Sequence, residues 1–287
     1  MIDITLIQYI LAIVSGVAVG FSLGLIGGGG SILAVPLFIY FVGIHHPHLA
    51  IGTTALAVGI TAYINFAQHL RKKNASIKLG GVFALVGIIG VLIGSTIGLI
   101  IKGGELLFFF SMLMIIIGIY MYISKCRAVP DEDCKERTKS TKYGKVSVYS
   151  LIVGFASGFF GIGGGFLIVP GMLASSKIKI GMAIGTSLLA VGTFGVVTAI
   201  RYALVAPGLE YISSGIVGDV LILVAVVYVL GGIFGGYLGT KLSVNLGGKK
   251  GTLRKVFSII IVLVGIYVAF ESYPALLHMF FIFGLNL

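Results

Sequence analysis

Four glycines in a row, Gly27-Gly28-Gly29-Gly30, lead into Ser31 and are closed by Pro36, all within apolar sequence that carries no charge nearby. Each glycine in a helix gives up about 1 kcal/mol relative to alanine, so continuous helix is a poor reading of this run. The pattern returns as Gly161-Ile162-Gly163-Gly164-Gly165, closed by Pro170. A backbone that unwinds among apolar residues leaves amide groups unpaired, and lipid cannot satisfy them. Such a break persists only where protein buries it or where it lines a polar cavity. That cavity is the candidate site.

The solvent of this chain is lipid. Of its 287 residues 58% are hydrophobic and 10% charged, with a mean hydropathy of +1.14. Apolar segments fall at roughly 4–24, 31–43, 50–70, 79–101, 106–124, 146–160, 166–174, 180–204, 217–240, 256–270 and 275–287. Several have the roughly 18–25 residues that span a bilayer as helix. The reading is an all-α multi-pass protein of the cell membrane. A net charge of +11 suggests nucleic acid in a soluble protein, but here the basic residues sit in short loops and report orientation instead. No nucleic-acid partner is expected. Met1-Ile2-Asp3 offers no basic start of a cleavable signal. Cys126 and Cys134 match no zinc or redox spacing and read as two reduced thiols.

The second half repeats the first. Gly24, Gly27, Gly29, Gly30 and Pro36 match Gly158, Gly161, Gly163, Gly164 and Pro170 at a constant shift of 134. Ile51-Gly52-Thr53-Thr54 matches Ile184-Gly185-Thr186-Ser187 at 133. Gly90, Gly94 and Gly98 pair with Gly231, Gly235 and Gly239, and Gly118 and Tyr120 with Gly265 and Tyr267. The domains read as a membrane repeat at 1–124, a charged cytoplasmic linker at 125–145 and a second membrane repeat at 146–287. If each glycine unit is a re-entrant hairpin followed by three crossings, the halves are inverted and 18 of the 20 Lys and Arg fall on the cytoplasmic face. If each unit crosses once, the halves are parallel and only 12 do. Charge favours inversion, although 4–24 is long enough to cross completely.

With the motifs in hand, the chain resembles the TauE/SafE family of sulfite exporters, also called toluene sulfonate uptake permeases. The resemblance rests on the doubled glycine run, each with its proline, on Gly52-Thr53-Thr54 and Gly185-Thr186-Ser187, and on the tail Lys255-Val256-Phe257 with Gly265 and Tyr267. The family pattern usually reads Gly-Thr-Ser where this chain has Gly52-Thr53-Thr54, a change that keeps the hydroxyl. The resemblance covers nearly the whole chain. It implies a transporter of small sulfur-containing anions such as sulfite, thiosulfate or sulfonates. A passive anion channel and a carrier of a sulfur-free organic anion stay open at this point, as do the direction of transport, the coupling ion and a homo-oligomeric state.

Chemically, helices restarting near Ser31 and Phe166 present unpaired amides at the positive end of the helix dipole. Two such starts facing each other make an anion site without any lysine or arginine. The candidate substrate-binding residues are therefore Gly27, Gly28, Gly29, Gly30, Ser31, Gly161, Gly163, Gly164 and Gly165, with the hydroxyls of Thr53, Thr54, Thr186 and Ser187 as donors. The plainer alternatives are that the glycines only permit close helix crossing and that the hydroxyls bond back to helix carbonyls. Asn65, Thr198 and Arg201 are weaker candidates for lining the pathway, Arg201 also reading as a side chain that snorkels to the interface. His69, beside Arg71-Lys72-Lys73, reads as a residue of the cytoplasmic interface. His45-His46-Pro47-His48 reads as a solvated loop, not a metal site. All nine acids fall near segment ends or in the linker, which argues against a carboxylate proton relay. No cofactor is called for, and no paired-acid or Ser-His set suggests an intramembrane enzyme.

Overall fold

A computed structural model describes residues 4–123, 143–161, 165–176, 178, 180–205, 216–245 and 258–274. The first helix, α1 (Leu6–Ile26), starts at a capping box: the Thr5 hydroxyl accepts from Gln8 N, while Thr5 N donates to Gln8 Oε1 at 2.9 Å. It stops where Gly27 takes φ +77°, a left-handed turn that side chains resist. A 3₁₀ stretch (Gly27–Leu33), the single turn α2 (Ala34–Pro36) and a π turn (Leu37–Phe41) follow. Next come α3 (Pro47–Arg71), with proline in its first turn, and α4 (Ile77–Ile100), capped by Ser76. The remaining helices are α5 (Gly103–Ile123), α6 (Tyr143–Phe160), α7 (Gly165–Ser175), α8 (Ile180–Val205), α9 (Ile222–Asn245) and α10 (Ser258–Pro274). A two-residue antiparallel hairpin, β1 (Ile216–Val217) with β2 (Val220–Leu221), precedes α9. The apolar stretch expected at 217–240 thus begins as a hairpin, and its helix runs later, to Asn245. The last expected stretch, 275–287, lies outside the described residues, as does the linker up to 142; its last three residues belong to α6.

Among the described residues six helices are long and apolar enough to cross a membrane: α1, α3, α4, α5, α8 and α9. Their outer faces expose large apolar side chains such as Leu6, Ile10, Leu85, Ile89, Ile116, Leu223 and Phe234, which fits a lipid solvent. The helices themselves meet through glycine. A Cβ on Gly16, Gly20 or Gly24 of α1 would strike the backbone of Tyr228, Gly232 or Gly236 of α9. Residue numbers rise together, so α1 and α9 run parallel. Gly154 and Gly158 of α6 meet Gly87 and Val91 of α4 in the same sense. Between α3 and α8 the order reverses, with Gly195 on Ala55 and Gly192 on Tyr63, so these two central helices are antiparallel. Small residues at these seams let backbones approach where lipid supplies no hydrophobic drive between helices.

These contacts come in mirrored pairs. Gly27 sits on Ile184 and Gly161 on Ile51; Gly52 meets the Asp219 carbonyl and Gly185 the Asn74 carbonyl. They also correct one sequence pairing. Gly94 packs on Phe155 O and Gly239 on Phe21 O; Gly87 meets Phe194 and Gly232 meets Thr61. The match between α4 and α9 is therefore a shift of 145, not the 141 that paired Gly90 with Gly231. Glycines four residues apart repeat every helical turn, so the sequence pattern also fits itself when slid by one turn.

Candidate anion site between the glycine runs

Both runs break their helix at the same place. Gly161 takes φ +66° after α6, as Gly27 does after α1. From there they differ. The first run is not unwound: it is tightened into 3₁₀ helix, and Gly30 folds back against Ser22 and Leu23 of α1. The clean restart expected at Ser31 is absent, because that residue lies within the 3₁₀ stretch. In the second half α7 restarts at Gly165, one residue before Phe166. Gly163 and Gly164 lie outside the described residues, while Gly29 falls within the 3₁₀ stretch.

The two runs touch. Gly28 and Gly165 meet backbone to backbone, so closely that a Cβ on either would overlap the other. The Gly28 amide donates to Ser187 Oγ at 3.4 Å, and Ser31 Oγ donates to Gly28 O at 2.9 Å. Ser31, Thr53, Thr54, Thr186 and Ser187 are all buried. Gly27, Gly28, Ser31, Gly165 and Ser187 thus come together at one point, and Gly161 lies against Ile51, two residues before Thr53.

The hydroxyl pairs divide their work in a way that sequence alone does not show. Thr54 Oγ1 donates to Ala50 O at 2.7 Å and Ser187 Oγ to Ile184 O at 2.8 Å, each to its own helix. Thr53 Oγ1 instead accepts the Leu221 amide at 2.9 Å, and Thr186 Oγ1 the Ser76 amide at 3.0 Å. One tie fastens the β-hairpin to α3 and the other fastens the α3–α4 turn to α8. A hydroxyl that accepts a backbone amide keeps its own proton for a further partner.

The weaker candidates are scattered. Asn65 and Thr198 are fully buried, and neither the Asn65 carboxamide nor Thr198 Oγ1 has a hydrogen-bond partner among the described residues. Arg201 is half-buried, with Nη2 donating to Thr96 Oγ1 of α4 at 2.7 Å, so it reaches across to a neighbouring helix. His69, read from the sequence as a residue of the cytoplasmic interface, points into the protein. It is fully buried, its Nε2 lies 3.3 Å from Gly24 O just before the first break, and its Cβ packs on Gly185. The helical spacing Thr61, Asn65, His69 was the signal that could have found it. At the opposite end, His45 and His46 are exposed, while His48 is half-buried, its ring 6.1 Å from that of Tyr202. Burial pushes the Asp219 carboxyl up, and His48 and His46 pull it back.

Comparison with known proteins agrees with this architecture. The family model described as sulfite exporter TauE/SafE matches residues 12–268. A probable membrane transporter protein of Xylella fastidiosa is 42% identical over 272 residues, covering 95% of this chain and 99% of the relative. The probable membrane transporter protein YunE of Bacillus subtilis is 26% identical, covering 92% and 98%. A probable membrane transporter protein of Methanocaldococcus jannaschii is 28% identical, covering 91% and 96%. No solved structure matches the chain.

Proposed function

Because the chain belongs to the sulfite exporter TauE/SafE family of membrane transporters, we propose that it is a secondary carrier of small sulfur-containing oxyanions or sulfonates, held where its two glycine runs meet. The observation that carries this reading is the contact of Gly28 with Gly165 beside Ser187. Glycine on both sides lets a guest approach the backbone, and its amides supply donors at neutral cost in charge. Thr53, Thr54 and Thr186 with Gly27, Gly29, Gly30, Ser31, Gly161, Gly163 and Gly164 complete the proposed cradle. The antiparallel course of α3 and α8 and the mirrored contacts of α1 with α9 and α6 with α4 support two inverted halves. In a carrier of this kind the halves rock about the bound anion and expose it to each side in turn. The ties Thr53–Leu221 and Thr186–Ser76 stand at opposite ends of the cradle and suit that motion, one opening while the other holds.

The test is flux of radiolabelled sulfite and thiosulfate into proteoliposomes, with and without unlabelled anion on the far side. A carrier shows saturable uptake accelerated by trans anion. Rates that far exceed carrier turnover, with no trans acceleration, would instead indicate a channel. Indifference to every sulfur oxyanion and sulfonate removes the cargo assignment.

A further inference from the structure

The two halves differ along one buried seam. Where α3 crosses α1 and α9, Thr61 Oγ1, both carboxamide atoms of Asn65 and Thr240 Oγ1 have no hydrogen-bond partner among the described residues. All three side chains are 0–1% exposed. They are neighbours through glycine. A Cβ at Gly236 would run into the Asn65 carboxamide, and one at Gly232 would lie 2.6 Å from Thr61 Oγ1. A Cβ at Gly24 would lie 2.9 Å from Thr240 Oγ1 and overlap the Gly236 carbonyl oxygen. In the mirrored seam of α4, α6 and α8 the corresponding residues are Phe194, Thr198 and Ser95. There the Phe194 ring fills the space at Gly87 beside Phe83, their centroids 6.4 Å apart, and Ser95 donates to Leu92 O at 3.2 Å. Buried polar groups as a rule find partners; four open atoms in one seam, against Thr198 Oγ1 alone beside an aromatic plug at the corresponding positions of its mate, favour a guest on the first side.

We propose that this seam binds a monovalent cation of sodium's kind through Asn65 Oδ1, Thr61 Oγ1 and Thr240 Oγ1. Three features set the sign of the guest. The open side-chain atoms are oxygens apart from one amide nitrogen, and hard cations take hydroxyl, carboxamide and carbonyl oxygens. Of the α9 carbonyl oxygens that pack on α1, that of Gly236 lies at the same point as Thr240 Oγ1, beside Gly24. The seam also runs into the C-terminal end of α1, where the helix dipole is negative and repels an anion. Ends of interrupted helices are where carriers hold coupling cations. Coupling of this cation to anion movement rests on the transport reading; its binding does not.

The experiment is binding of radioactive sodium to the purified full chain in choline buffer, with no sulfur anion present. Saturable binding displaced by unlabelled sodium and not by choline is expected. Asn65→Leu and the nearly isosteric Thr240→Val should each weaken it at least tenfold, while Ser95→Ala in the mirrored seam leaves it unchanged. If Asn65→Leu does not fold, Thr240→Val carries the test alone. Absence of saturable sodium binding in the parent protein overturns the proposal, as does wild-type affinity in Thr240→Val. Because no anion is present, neither result bears on the transport reading.

Discussion

At the residue scale the cradle depends on which groups its hydroxyls serve. Thr53 and Thr186 each accept a backbone amide from a distant segment, Thr54 donates to its own helix, and Ser187 does both, accepting the Gly28 amide while donating to Ile184 O. Removing an acceptor from a buried amide such as Leu221 N costs about 1–3 kcal/mol, and less for the part-buried Ser76 N. Thr53→Val and Thr186→Val should therefore each lower the melting temperature in detergent and impair flux. Thr53→Ser and Thr186→Ser, which keep the oxygen, should recover most of both; recovery by neither serine variant speaks against the ties. Asp219 makes a second prediction. Its carboxyl holds its proton more tightly in the folded protein than in the unfolded chain. Its contribution is thus favourable at acid pH and is lost as pH rises through the folded-state value. Asp219→Asn should be more stable than the parent near neutral pH, with the gain shrinking toward pH 4. A gain independent of pH would contradict the assignment. The residue types and their duplication were legible in the sequence, but their bonding was not. A hydroxyl in an apolar segment has several carbonyls and amides within reach, and only the tertiary approach of residues 76 and 221 decides among them. The burial of His69 was hidden for a related reason. Basic neighbours mark the end of a helix, but they do not say whether the side chain one turn earlier faces lipid or the seam.

At the element scale the helices are held by backbone contact at glycine, and the contacts predict unequal costs. A methyl at Gly20 overlaps Gly232, whereas one at Gly81 of α4 meets nothing within 4 Å. Gly20→Ala should destabilise the protein by about 1–3 kcal/mol through overpacking. Gly81→Ala should be neutral or gain up to about 1 kcal/mol from helix propensity. Thermal unfolding in one detergent compares them directly, and equal losses would contradict the α1–α9 register. Helix positions were readable to within a few residues from hydropathy. The register was not, because glycines one turn apart are interchangeable to pattern matching and only Phe155 and Phe21 distinguish them. The first glycine run shows a second limit. Glycine permits an open loop, but it also permits 3₁₀ helix, and the packing of Gly30 on α1 selects the tighter form.

At the scale of the whole molecule, direction follows from the seams. The parallel course of α3 and α9 puts the ends near Lys73 and Lys241 on one side, and the short connection from α3 into α4 puts Lys102 on the other. In a chain with Cys126→Ser and Cys134→Ser, an impermeant maleimide should label Lys73→Cys and Lys241→Cys from the same face and Lys102→Cys from the opposite one. This labelling tests the inverted arrangement that charge counting proposes from the sequence, in which basic loops stay on the cytoplasmic side. The meeting of the two glycine runs was beyond such counting, because it depends on how far each broken helix reaches before it turns. That meeting is also what the proposed function rests on. Its most direct test is an anomalous difference map, at the selenium edge, of crystals soaked in selenite as a sulfite analogue. The account predicts a peak beside the Gly28–Gly165 contact, within reach of Ser187. A peak elsewhere in the protein, with that contact left empty under conditions that saturate transport, would contradict it.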